Sequence, residues 1–96
     1  MRRIYLVAYD ISDDKRLRQV FKKMNGYGEH LQYSVFQCEL SDKERIQMIA
    51  ELNGVINHHE DQVLIFSLGA ADSYNAGATI AIGKPYSFVE RRAVVV

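Results

Sequence analysis

A chain of 96 residues has room for one domain and one modest hydrophobic core. At 48% hydrophobic, with six Tyr and four Phe, it reads as globular rather than disordered. Twelve Lys/Arg balance twelve Asp/Glu, and this zero formal charge excludes a protein coated all over in basic surface. The balance is uneven along the chain, however. Residues 1–30 carry seven Lys/Arg against four Asp/Glu, residues 31–72 carry two against seven, and residues 73–96 carry three against one. Both ends are therefore basic, which allows a local basic face. The single cysteine, Cys38, cannot form an internal disulfide and fits a reducing cytoplasm; in its apolar stretch it reads as a core thiol rather than a nucleophile. Arg2 and Arg3 precede an apolar run, but that run breaks at Asp10, too short for a leader, and no stretch is long enough to span a bilayer.

The first predicted element is a strand, Ile4 to Tyr9, that ends on an acid, Asp10. An unpaired carboxylate is costly inside a sheet, whereas strand ends are where sites in α/β layers form. A polar turn, Ser12 to Asp14, leads into a helix from about Asp13 to Asn25, where Leu17, Val20, Phe21 and Met24 make one core-facing stripe. Lys15, Arg18 and Lys22 lie along one flank of that helix, and Arg16 and Lys23 along the other. Gly26 and Gly28 end it.

Glu29 to Leu40 reads as β structure, either one bent strand or a tight hairpin, since no Asn-Gly or Gly-X turn signal decides. Ser41 to Glu44 fits a capping box that opens a second helix, with Ile49, Leu52 and Ile56 as its apolar face and Met48 and Val55 widening it. The helix gives way at Asn57 to Asp61. Val63 to Leu68 is a continuous apolar run that predicts an inner strand, Gly69 to Gly77 a loop, Thr79 to Ile82 a short strand, and Gly83 to Pro85 a turn. The end, Phe88 to Val96, is apolar with a basic interruption, a hazard if left as a free edge.

The order predicts an α+β fold, a ferredoxin-like split βαβ sandwich (βαββαβ) with helices on one face of an antiparallel sheet and an extra C-terminal strand. Because the first strand is apolar on both faces, the second sheet face needs a cover too, and a sheet-on-sheet homodimer is the simplest one. The expectation is a single domain, 1–96, in which 78–96 crosses to the partner subunit.

Asp10 is the candidate metal ligand and catalytic acid. A hard cation such as Mg²⁺ takes oxygen ligands and keeps several waters, so one carboxylate can serve. Asp13 and Asp14 have a simpler role in capping the helix. Arg16 and Arg18 are candidates for phosphate, because the planar guanidinium fork suits its oxygens, with solvated helix surface the alternative. His58-His59-Glu60-Asp61 matches no zinc spacing and reads as a polar helix end. Tyr9 and Phe36 could stack on bases, or belong to the core like most strand aromatics.

The pattern Tyr5-Leu-Val-Ala-Tyr9-Asp10-Ile-Ser12-Asp13, then Arg16, Gly28, Gln32-Tyr-Ser34-Val35-Phe36 and Glu60-Asp61 before an apolar strand, closely resembles the small CRISPR-associated adaptation protein. Members of this family, also called CRISPR-associated endoribonucleases, are partners of the integrase that captures new spacers. The resemblance runs from about residue 3 to residue 68 and is loose beyond. It implies a symmetric homodimer in which the two Asp10 carboxylates meet at the dimer axis and hold Mg²⁺ or Mn²⁺. It also associates Tyr9, Arg16, Arg18 and Phe36 with nucleic-acid binding. One departure stands out. Where the family often has arginine, two residues before the motif's glutamine, this chain has His30, and imidazole is largely neutral at pH 7.

The leading expectation is thus a CRISPR adaptation subunit that binds a DNA or RNA backbone, pairs with the integrase, and acts as a metal-dependent endonuclease on single-stranded RNA or duplex DNA. Its alternatives are a non-catalytic scaffold, a stand-alone toxin-like endoribonuclease of the same fold, and a regulatory module binding a small ligand at a dimer interface.

Overall fold

The computed structural model describes residues 1–74 and 79–84. In chain order it holds β1 (Arg3–Asp10), α1 (Asp14–Asn25), β2 (Glu29–Gln32), β3 (Val35–Leu40), α2 (Asp42–Asn53), β4 (Gln62–Ala70) and a 3-10 turn at Ala71–Ser73. The four strands form one antiparallel sheet in the order β2-β3-β1-β4. This is the expected ferredoxin-like βαββαβ arrangement. No helix among the described residues is long and apolar enough to cross a membrane.

The core follows from the two periodicities. Along β1 the alternate residues Tyr5, Val7 and Tyr9 face the helices, where they join Phe36, Cys38 and Leu40 of β3, Val20 and Met24 of α1, and Met48 and Leu52 of α2. Asp13 caps α1 by accepting the Arg16 amide at 2.9 Å. Ser41 and Glu44 form the predicted capping box on α2. The inner stripe of α2 is centred on the buried Met48 and Leu52, so Ile49 is only half-buried and Ile46 is exposed. After α1 the chain presses against β3. A Cβ at Gly28 would stand 2.4 Å from the Gln37 carbonyl oxygen and 2.5 Å from Cys38 Sγ, so only glycine fits there.

Residues 29–40 form a hairpin, with Gln32 paired to Val35 across the two-residue turn Tyr33-Ser34. The turn carried no glycine signal because its positive φ, 42°, belongs to Tyr33.

One strand expectation is corrected. β4 is an edge strand among the described residues, not an inner one. Its run is apolar except for Ser67 because the sheet has two apolar faces. Val63 and Ile65 pack on the core, while Leu64, Phe66 and Leu68 stand 44–48% exposed on the face without helices. The β1–β4 register sets Leu6 opposite Phe66, Ala8 opposite Leu64 and Asp10 opposite Gln62 on that same face. Thr79 to Ile82 has no strand pairing among the described residues, and Ile80 and Ile82 are exposed. A lone strand has no ladder to stabilise it. The rest of the expected crossing segment 78–96, including the extra strand, lies outside the described residues. Beyond β4 the chain returns over the helix-free face, where the Tyr74 hydroxyl donates to Gln37 Oε1 at 3.0 Å.

Candidate active site

β1 ends where the chain must leave the sheet for α1, and Asp10 is the last residue paired in it. Strand alternation turns its side chain away from Tyr9 and the core, toward the helix-free face that also carries Leu6 and Ala8. The carboxylate is exposed and makes no hydrogen bond or ion pair among the described residues.

The turn beyond it is held by an acid from the other side of the sequence. Asp61, just before β4, accepts from the Ser12 amide at 3.0 Å and the Ser12 hydroxyl at 3.2 Å. It also accepts from the Asn57 amide at 2.7 Å and from Arg16 Nε at 2.8 Å. Its side chain is fully enclosed. The Arg16 guanidinium is the main reason its carboxyl is held well below the usual carboxylate range, with the amides of Asn57 and Ser12 adding to the effect. Glu60 reaches the same guanidinium at 3.2 Å. Nothing local in the sequence marked Asp61 for this role, since its partners Ser12 and Arg16 lie 49 and 45 residues away.

The cations of α1 therefore divide by flank. Arg16 is spent on Asp61 and Glu60, and Lys23 faces Glu51 at 3.5 Å. The Arg16 fork, which the sequence offers to phosphate, here faces carboxylates. Lys15, Arg18 and Lys22 are exposed on the other flank and make no ion pair among the described residues.

The two aromatic candidates lie in the core. Phe36 is fully buried and Tyr9 is 8% exposed. They stack on each other with ring centroids 6.2 Å apart, so neither presents a face to a base. Burial raises the Tyr9 phenol above its usual value, partly offset by a hydrogen bond with Ser34. His30 packs with its ring 5.0 Å from both Phe21 and Phe36. Its Nε2 donates to the Tyr33 carbonyl, which makes it a brace for the hairpin.

Among the described residues no group of three His, Cys, Asp or Glu side chains could hold a metal ion. Asp13 is committed to its cap and Asp61 to its donors. One open carboxylate suits a hydrated hard cation that takes most of its oxygens from water or from a second copy of the chain.

The family described as CRISPR associated protein Cas2 matches residues 1–75. The chain is 46% identical over 92 residues to the CRISPR-associated endoribonuclease Cas2 1 of Rhodospirillum rubrum, covering 96% of this chain and 89% of the relative. It is 44% identical over 96 residues to the CRISPR-associated endoribonuclease Cas2 of Geobacter sulfurreducens, covering both in full. Among solved structures, Streptococcus pyogenes Cas2 superposes with a TM-score of 0.73 at 28% identity, over 83% of this chain and 99% of that one. With the βαββαβ sheet and the open acid at the end of β1, these likenesses carry one conclusion: the chain belongs to the Cas2 family of CRISPR-associated proteins.

Proposed function

We propose that this protein is a cytoplasmic CRISPR adaptation subunit that works as a sheet-on-sheet homodimer, binds a nucleic-acid backbone beside the CRISPR integrase, and hydrolyses phosphodiester bonds with a divalent metal. The relatives' names, as endoribonucleases, support the nuclease part. The observation that carries the reading is the place of Asp10. It is an uncommitted carboxylate at the margin of an apolar face, on which Leu64, Phe66 and Leu68 need a cover. A second copy laid on this face about a twofold axis supplies that cover and sets a second Asp10 against the first.

The two Asp10 carboxylates would hold Mg²⁺ or Mn²⁺, which when bound supplies Lewis acidity at the scissile phosphate and an activated water. The chain does the rest. Asp61 and Arg16 fix the turn that follows Asp10, and the exposed flank of Lys15, Arg18 and Lys22 draws in and positions phosphates.

The test compares wild type with Asp10→Asn on single-stranded RNA and duplex DNA, with Mg²⁺, with Mn²⁺ and with chelator. Wild type is expected to cut only with metal, and the variant to fall to background while remaining dimeric. Cutting by Asp10→Asn at the wild-type rate overturns the metal site. Failure of wild type to cut under any metal, with spacer integration intact, leaves the scaffold role alone.

A further inference from the structure

Tyr33 is the one non-glycine residue with positive φ among the described residues, and its side chain is 87% exposed. Neither property helps the fold. Glycine or asparagine would meet the turn with less strain, and a tyrosine ring left in water gains nothing from burial. Yet the backbone that carries the ring is held in place. His30 Nε2 donates to the Tyr33 carbonyl, and the next carbonyl, that of Ser34, accepts the Tyr9 amide at 3.0 Å. The tip is thereby pinned to β1 one residue before Asp10. The β1–β3 pairing ends at Ala8 and Val35, and the Tyr9–Ser34 bond carries it one residue further, so the turn that holds Tyr33 stands at the end of β1 that Asp10 closes.

The surroundings say what the ring would meet. Phe21 packs edge-on against His30 with centroids 5.0 Å apart, so the Phe21 side of α1 faces β2. Helical periodicity sets Arg18, one turn before Phe21, on that side, with Lys15 and Lys22 beyond it. An exposed aromatic on a pinned turn, with cations unpaired among the described residues and an open acid on the neighbouring elements, suits a nucleic acid whose bases can leave the stack. Duplex bases are stacked on each other and have no face to offer, whereas single strands give theirs to aromatic side chains.

We propose that Tyr33 stacks an unpaired base near the end of β1, so that single-stranded nucleic acid binds at this tip in preference to duplex. This rests on the nucleic-acid reading above and assigns to Tyr33 the stacking expected of Tyr9 and Phe36.

The experiment uses a short single-stranded RNA carrying one 2-aminopurine, the same sequence as a duplex, and the variants Tyr33→Gly and Tyr33→Phe. Wild type and Tyr33→Phe should quench the fluorophore on binding. Tyr33→Gly should lose the quench and bind the single strand about 5- to 150-fold more weakly, with duplex affinity unchanged. Its urea midpoint should equal or exceed that of wild type, because glycine relieves the turn. Unchanged single-strand affinity, an equal loss on duplex, or a lower urea midpoint overturns the proposal. So does loss of integrase binding with RNA binding intact, which would make the tip a protein contact. A wild type that binds and quenches without cutting ends the nuclease reading and leaves Tyr33 as assigned. A Tyr33→Gly variant that cuts single strands with wild-type KM removes the stacking role alone.

Discussion

Arg16 and Asp61, 45 residues apart in sequence, meet with Nε and Oδ2 2.8 Å apart, and the acid is wholly enclosed. The pair closes the end of the molecule from which Asp10 emerges. One carboxylate gathers the turn after β1, the first turn of α1 and the turn before β4. An arginine that sequence pattern offers to phosphate thus braces the turn, while Lys15, Arg18 and Lys22 stand exposed on the opposite flank.

Arg16→Ala and Arg18→Ala should therefore part company. Arg16→Ala should lower the melting temperature and leave the salt dependence of RNA binding nearly as in wild type. Arg18→Ala should leave melting unchanged, weaken binding to all sequences alike and reduce the salt slope by about one. Fluorescence anisotropy across a salt series, with thermal melts alongside, reads both effects. A reduced slope in Arg16→Ala with unchanged melting would contradict the division.

Acid should weaken the fold through the same pair. The Asp61 carboxyl is held low in the folded state, chiefly by Arg16, and Glu44 is lowered in the same sense, chiefly by the Ser41 amide. A group with a depressed folded value contributes stability above its unfolded value, near pH 4, and loses it as pH falls toward the folded value. Urea midpoints should thus be flat from neutral pH to about pH 5 and fall below it. Asp61→Asn should start lower at pH 7 and decline less steeply in acid. Parallel curves for the two proteins would show that Asp61 is not the acid-sensitive group.

Gly28→Ala should destabilise the fold by about 1–3 kcal/mol, as overpacking does, because the added Cβ meets a backbone carbonyl and a buried sulfur. At Gly54 the nearest atom to an added Cβ is 3.5 Å away, so Gly54→Ala serves as the control with a much smaller effect. Chemical denaturation of the two variants gives the comparison.

On the helix-free face, Phe66→Glu should yield a folded monomer. A charge at the centre of the apolar patch should cost the dimer roughly 2 kcal/mol or more, while the helices and their core keep their packing. Light scattering and far-UV circular dichroism check the two halves of this statement. A stable dimer of Phe66→Glu would move the subunit contact elsewhere.

What the sequence made legible was mostly local. The stripe Leu17, Val20, Phe21 and Met24, the Ser41 to Glu44 box and the acid ending β1 are each written within one or two turns of chain, where periodicity and capping act. Element order then left few topologies to choose among. The hairpin at Tyr33 stayed ambiguous because a strained residue stands where glycine would have announced a turn. The run Val63 to Leu68 misled, since an apolar second face and an interior position give the same string. Asp61 and the division of the α1 cations depend on chain segments brought together only by folding, and Glu60-Asp61 looked like an ordinary polar end of a helix. Tyr9 and Phe36 lie on the core side of their strands, a fact set by register that composition does not disclose.

The sheet order also sets a schedule. β1 leaves the ribosome first, yet one of its two neighbours, β4, begins only at Gln62. A nascent chain that has completed α2 can pair β1 with β3 and still carry Ile4 to Ala8 as an open apolar edge. Premature termination or a long translational pause in the codons before Gln62 should thus produce an aggregation-prone species. Sequence changes that slow or truncate synthesis there would reduce the yield of protein without altering any contact in the finished fold.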